Sequence, residues 1–575
     1  MKPHEPSGPR LTGARIVWEC LLREGVDVVF GYPGGCLLPI YDVMGEYPIH
    51  HVLVRHEQGA AHMADGYARA SGRVGVAFAT SGPGATNLTT GIANAMLDSV
   101  PTVFITGQVS SHLIGSDAFQ ETDVTGITLP ITKHNRLVMR AEDIAPALRE
   151  AFAIARHGRP GPVLVDICKD AQQATTEFCW PEVLGYPCLR PRAAVSRPDL
   201  ERAADLIRAS NRPIILAGHG VIKSGATRAL IAFAERTGTP VASTLLGLGG
   251  FPASHPLSLG MMGMHGEAYV NQAIQSADLL LAFGMRFDDR VTGNLKTYAP
   301  KARKIHVEID ASEIGKNVAV DVALVGDLRE VLDALNPLLE AKRHEVWLRD
   351  IDTGRADTRN RDILHQEDDG NLYAAHVLHD LWEATRGEAI VVTDVGQHQM
   401  WEAQYYAHET PRSLITSGGL GTMGFALPAA IGAKFARPDA EVWVVVGDGG
   451  FQMTQAELAT IQQEGLDINI AIINNGYLGM VRQWQEFFYE KRYAQTPMLS
   501  PDFVKLADAY GMAAHRVTRR KDVIPTVRAA RASGEAVLID FRVLQEEAVF
   551  PMVPAGAALD AMIRRPVVEE QEAVA

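Results

Sequence analysis

Residues Val442–Tyr477 read VWVVVGDGGFQMTQAELATIQQEGLDINIAIINNGY. An apolar, strand-like run ends in Gly447-Asp448-Gly449-Gly450, a helix-like stretch follows, and a second apolar run ends in Asn474-Asn475. Two parallel strands bridged by one helix bring Asp448 and Asn475 side by side at the carboxyl edge of a sheet, where open α/β folds bind ligands. A carboxylate and an amide oxygen are hard ligands suited to Mg²⁺, which completes its octahedron with waters and substrate phosphates. The surrounding glycines leave room for a diphosphate to approach the backbone.

Outward from this stretch, strand-like and helix-like segments alternate along the whole chain, which predicts α/β domains with doubly wound parallel sheets. At 575 residues the chain is too long for one core. We expect three similar domains, over 12–180, 190–340 and 371–556, with a peripheral tail over 557–575. The first carries VDVVFG, HVLVR, VGVAFAT, PTVFITG and GPVLVDI; the second RPIILAG, PVAST, LLLAFG and KIHVEID; the third AIVVTD, the short SLIT and AVLIDF besides the two runs above. Pro181 to Pro198, with four prolines, reads as a linker, and Glu340 to Gly370, rich in charge, as a surface connector.

Composition excludes several classes. A formal net charge of −14 without a Lys/Arg cluster leaves no footprint for nucleic acid. The longest apolar runs, ADLLLAFG and INIAII, are far too short to span a bilayer. The opening MKPHEPSGPR has no apolar core, so the chain reads as cytoplasmic with no membrane partner. Five cysteines (Cys20, Cys36, Cys168, Cys179, Cys188) form no CxxC pair and no zinc spacing, as expected of reduced thiols.

A second constellation lies in the first third. Glu57 follows the strand-like HVLVR and opens a helical stretch, RHEQGAAHMADGYARASG. A carboxylate at that place commonly does no more than complement a helix dipole. Together with GDG…NN it instead has the pattern of thiamine-diphosphate (ThDP) enzymes, whose chemistry needs a carboxylate at the aminopyrimidine ring. The chain resembles the large-subunit family of acetohydroxyacid (acetolactate) synthases along nearly its whole length. The resemblance is carried by FGYPGG (Phe30–Gly35), TSGPGATN (Thr80–Asn87), GSDAFQETD (Gly115–Asp123), GRPGPVLVDICKD (Gly158–Asp170), GMHG (Gly263–Gly266), RFDDRVTG (Arg286–Gly293), GQHQMW (Gly396–Trp401), GTMGFALPAAIGA (Gly421–Ala433) and GMVRQWQ (Gly479–Gln485).

This resemblance implies an active site between two chains and a homodimer or homotetramer. The domain 12–180 would hold the pyrimidine through Glu57 and Gly34, and 371–556 the diphosphate through Val395, Gly396, Gln397, His398, Gly421 and the Gly447–Gly450 loop. Mg²⁺ would be bound by Asp448, Asn475 and the Tyr477 carbonyl, with Met423 beneath the cofactor. FAD would occupy the domain 190–340, against Arg159, Gly218, Gly220, Thr244, Leu245, Met264, His265, Gly284, Arg286, Asp288, Asp310 and Asp327. Arg290 would anchor the keto-acid carboxylate, since a guanidinium is a fork for such groups. Trp484 would shape the pocket for the second acid, and Phe119, Gln120, Lys169 and Met480 would line its surroundings. Two departures from the family pattern stand out: Cys168 where a proline commonly precedes Lys169, and Gly476-Tyr477 where some members carry an acidic pair.

The implied reaction decarboxylates pyruvate and ligates its hydroxyethyl unit to pyruvate or 2-ketobutyrate, in branched-chain amino-acid synthesis. A separate regulatory small subunit is a possible partner. Pyruvate oxidase, a flavin-linked relative, is the alternative, and RFDDR and MVRQW speak against it. Glyoxylate carboligase lacks the glutamate found here at Glu57. A non-enzymatic NAD-binding module would rest on Gly419-x-Gly421-x-x-Gly424, but the preceding strand SLIT is short and no acidic residue ends a following strand at the expected distance.

Overall fold

The computed structural model describes residues 8–182, 189, 195–366 and 369–566. Cys188 and most of the proline-rich linker lie outside the described residues. Three six-stranded sheets, each wholly parallel, follow one another along the chain.

The first sheet contains β1 (Val28–Gly31), β2 (His50–Leu53), β3 (Gly75–Ala79), β4 (Thr102–Gln108), β5 (His134–Val138) and β6 (Pro162–Cys168), in the order β2-β1-β3-β4-β6-β5. The second contains β7 (Pro213–Ala217), β8 (Val241–Ser243), β9 (Ser258–Met261), β10 (Leu279–Phe283), β11 (Arg303–Glu308) and β12 (Val322–Val325), ordered β9-β8-β7-β10-β11-β12. The third contains β13 (Ile390–Thr393), β14 (Leu414–Thr416), β15 (Val442–Gly447), β16 (Ile468–Asn474), β17 (Ala513–Val517) and β18 (Val537–Arg542), ordered β14-β13-β15-β16-β18-β17. The first and third sheets therefore share one topology. The second has the order of a dinucleotide-binding fold. Each has a switch point where strand order reverses and a crevice opens at the carboxyl ends.

Central strands are mainly apolar because helices cover both faces: every residue of β4, β6 and β16 is buried. The strands without a clear sequence signal, β5, β9, β12 and β17, are all sheet edges and only partly buried. An edge strand needs no continuous apolar run.

The first and third domains share one core. Phe30, Tyr67, Phe425, Ile431 and Val444 belong to a single buried cluster that crosses between them. Its centre is the packing of the Glu57–Ser71 helix on the Ala426–Ala436 helix. A Cβ on Gly66 would lie 2.0 Å from the Ala429 carbonyl oxygen, and one on Gly432 would lie 1.9 Å from that of Met63. Only glycine lets two helix backbones come this close.

Two expectations require correction. The 340–370 connector contains a helix, Glu345–Asn360, whose Trp347 and Ile351 are buried against the middle domain. Trp347 Nε1 donates to the Pro213 carbonyl at 3.1 Å. The tail is likewise not peripheral as far as residue 566, for Leu559 is fully buried among Ile214, Leu280 and Trp347. Neither segment has a long apolar stripe; one or two large side chains anchor each, through contacts distant in sequence.

Candidate active site

A cradle of loops forms at the switch point of the third sheet. Loops leaving β13 and β15 face each other there, and Val395–His398 and Gly447–Gly450 line one small pocket with Asn475 and Tyr477. Parallel register pairs Val445 of β15 with Ala471 of β16, so both strands end at the same level and present Asp448 and Asn475 together. Asp448 Oδ2 accepts from Ser500 Oγ at 2.8 Å, and burial pushes its carboxyl up to about 6. Asn475 Oδ1 accepts from the Tyr477 N–H at 3.1 Å, while its amide donates to Gln397 Oε1 at 3.2 Å. An amide oxygen has two lone pairs, so one remains for a cation. Gly476 between them has φ +68°, a left-handed conformation that explains glycine there.

The residues fit an anionic ligand. His398 is buried, burial pushes its imidazole down to about 3, and its Nε2 has no hydrogen-bond partner. Buried polar atoms are nearly always satisfied, so this one marks a missing acceptor or donor. Cβ atoms on Gly396 and Gly447 would each lie 3.0 Å from the His398 ring, so both glycines keep its place open.

A second cavity, of about 870 Å³, runs from the switch point of the middle sheet to the third domain. The loops after β7 and β10 meet there: Gly220 N donates to the Gly284 carbonyl at 2.9 Å, and a Cβ on Gly218 would lie 2.3 Å from it. Arg159, Gly220, Thr244, Leu245 and Met264 line the cavity, as do His265, Gly284, Arg286, Asp288 and Asp327. Gly218 and Asp310 do not. Gly218 supports the loop from behind, and Asp310 faces Arg159 Nη1 at 3.4 Å beside Glu313 at 3.0 Å. Gly421, Met480, Trp484 and Arg290 line the far end. Arg290 is exposed and paired with its neighbour Asp289 at 2.7 Å. Val395, Gly396, Met423, Met480 and Val481 line both cavities, so the two adjoin.

The first-domain group stands apart. Glu57 opens its helix and accepts from Asn87 Nδ2 at 2.9 Å through Oε2. Gly34 packs on Thr80, where a Cβ would lie 2.4 Å from its side chain. Gln120, at φ +62°, packs over Gly82, and Phe119 beside it is 87% exposed. Lys169 begins a short helix after Cys168, which has φ −60°, the value a proline would impose. Neither cavity is lined by Gly34, Glu57, Gln120 or Lys169.

Sequence reasoning missed Ser500 and Asp394. The Ser500 hydroxyl reaches Asp448 from a loop without periodicity. Asp394 ends the run AIVVTD and accepts from Val395 N at 2.7 Å and Gly424 N at 2.9 Å; burial pushes it to about 7. A carboxylate ending a central strand was a visible signal.

Comparison with known proteins accounts for this arrangement. Residues 11–127 match the thiamine pyrophosphate enzyme N-terminal TPP binding domain, 200–335 the central domain, and 394–541 the C-terminal TPP binding domain. The chain is 50% identical to the acetolactate synthase large subunit of Corynebacterium glutamicum over 562 residues, covering 96% of this chain and 89% of that one. It is 49% identical to the acetolactate synthase of Mycobacterium bovis, covering 96% and 91%. To a chloroplastic acetolactate synthase of Nicotiana tabacum it is 46% identical, covering 97% and 85%. Such identity over nearly the full length of both chains leaves the pyruvate oxidase alternative unfavoured. This chain belongs to the acetolactate synthase family of thiamine pyrophosphate enzymes.

Proposed function

We propose that this enzyme joins two 2-keto acids. It would decarboxylate pyruvate and ligate the hydroxyethyl unit to a second pyruvate or to 2-ketobutyrate, giving 2-acetolactate or 2-aceto-2-hydroxybutyrate. The observation that carries the reading is the shared lining of the two cavities by Val395, Gly396, Met423 and Met480, which joins the large cavity lined by Arg290 and Trp484 to the pocket lined by Asp448 and Asn475.

When bound, thiamine diphosphate supplies the electron sink that lets CO₂ leave pyruvate. Asp448, Asn475 and the Tyr477 carbonyl would hold Mg²⁺, and Gln397, His398 and the glycine loop the diphosphate. Met423, at the junction of the cavities, would support the cofactor from below. Arg290 would exchange Asp289 for the substrate carboxylate, and Trp484 would pack on the second acid's side chain. Glu57 would hold a proton at the aminopyrimidine nitrogen, with Gln120 and Lys169 near the entry. Because Glu57 lines neither cavity of its own chain, it would serve a second copy, making a homodimer the smallest active unit and a homotetramer a doubling of it.

FAD is the occupant we propose for the large cavity. The strand order of the middle sheet, the crossing glycines at its switch point and a volume of about 870 Å³ suit a dinucleotide. Its part would be structural. The name "large subunit" in the Corynebacterium relative suggests a separate small subunit here too. No described helix is long and apolar enough to cross a membrane, in keeping with a cytoplasmic enzyme.

Incubation with pyruvate, ThDP and Mg²⁺, with and without FAD, tests the reading. Acetolactate should accumulate while any flavin stays oxidised. Flavin reduction that keeps pace with pyruvate consumption would instead support an oxidase.

A further inference from the structure

The turn that presents Glu57 is held from another domain. Glu457 follows the glycine loop, in the short helical turn Gln455–Glu457, and its side chain is 1% exposed. Its Oε1 accepts from the backbone N–H of Arg55 at 3.1 Å and of His56 at 3.2 Å, and Oε2 lies 3.2 Å from the Arg55 nitrogen. Thr460 Oγ1 donates to Oε2 at 2.6 Å and fixes the carboxylate plane. A Cβ on Gly59 would lie 2.3 Å from Oε1, so the carboxylate fits only because that residue is glycine.

These two N–H groups belong to the turn between β2 and the Glu57–Ser71 helix, where backbone donors lack partners within the helix. Charge-assisted hydrogen bonds are roughly twice as strong as neutral ones. A buried carboxylate with this many donors is therefore a rigid clamp on the residues next to Glu57. Surface capping would not need a contact spanning about 400 residues of chain.

We propose that Glu457 is a positioning residue for Glu57, fixing the turn from which the catalytic carboxylate reaches the cofactor. This rests on the reading that Glu57 acts on ThDP bound by a second copy. One chain's cradle segment, running on from Asp448, thereby sets the glutamate used at the other site.

Two readouts test it. In the cofactor-free protein, hydrogen exchange at the Arg55 and His56 amides should speed at least about 10-fold in Glu457→Ala and return towards wild type in Glu457→Gln, whose amide oxygen still accepts. In the ThDP-loaded protein, exchange of the cofactor C2 hydrogen should slow about 10–100-fold in Glu457→Ala, the order expected of a displacement near 1 Å. Glu457→Gln should restore most of it, while Tm alone would move for a merely structural role. Wild-type C2 exchange in Glu457→Ala, or equal slowing in the Gln and Ala variants, overturns the proposal. If Glu457→Ala does not fold, Thr460→Val, which frees the carboxylate to turn, should give a smaller slowing in the same direction, and no change there overturns it. Glu57→Gln is the control: wild-type C2 exchange in that variant sinks the catalytic reading itself, whereas a slow Glu57→Gln with a normal Glu457→Ala sinks only the clamp.

Discussion

Gly66 and Ala429 meet backbone to backbone where the helix bearing Glu57 crosses the helix that follows the Met423 loop. Glu57 and the Met423 loop are thus mounted on one rigid pair. Further along the same helix, buried Arg69 joins Asp98 at 2.8 Å, and Asp98 accepts from the Gly418 and Gly419 N–H groups at 3.0 and 2.7 Å. Gly419, in the glycine series set aside as a dinucleotide fingerprint, is instead part of the bracket by which the first domain holds that loop.

Gly66→Ala should be destabilising despite alanine's better helix propensity. The propensity gain is at most about 1 kcal/mol, whereas forcing a methyl into packed backbone costs about 1–3 kcal/mol or more. Urea unfolding should show a net loss, while Gly45→Ala, whose Cβ meets nothing within 4 Å, should be neutral. Equal midpoints for the two variants would mean that the helices part easily.

Asp448→Ala should weaken Mg²⁺-dependent ThDP retention by roughly two orders of magnitude or more. A buried charge that loses its partner costs on the order of 3–5 kcal/mol. Calorimetry with ThDP and Mg²⁺ measures this, and an unchanged affinity would place the metal elsewhere.

Trp484→Leu and Arg290→Ala should separate two kinds of recognition. One methylene distinguishes 2-ketobutyrate from pyruvate, worth about 1–3 kcal/mol, or roughly 10–200-fold, in an apolar pocket. Trp484→Leu should erode the preference for 2-ketobutyrate while acetolactate still forms. Arg290→Ala should impair use of both acids, which share a carboxylate. Product ratios with both acids present decide it; a ratio untouched by Trp484→Leu would move the specificity pocket.

Asp394 should give the cofactor-free protein a pH dependence. Its folded-state value, raised to about 7 by burial, lies above that of an ordinary carboxyl. The folded chain therefore keeps a proton that the unfolded chain releases, and stability is lost as pH rises through about 4 to 7. Asp394→Asn cannot titrate, so its urea midpoint should fall less than the wild-type midpoint between pH 5 and pH 8. Equal falls would show that another group carries the slope.

The chemistry-bearing elements were legible in the sequence because their constraints are local. An apolar β15 leading into Gly447-Asp448 and a mainly apolar β16 leading into Asn474-Asn475 read as adjacent parallel strands in a covered sheet. Register then brings their ends together. Glu57 was readable as a helix-opening acid for the same reason, and its proposed use came from the family resemblance. What the tertiary structure decided is everything that depends on contacts distant in sequence. Edge strands such as β5 and β17 carry no apolar run, so pairing rather than pattern defines them. Leu559 and Trp347 are buried by a middle domain far from them along the chain. Glu457 gives no sign in QAELAT that its carboxylate crosses to Arg55 and His56, because the groups it satisfies are backbone N–H donors, which every residue but proline possesses and no side-chain pattern marks.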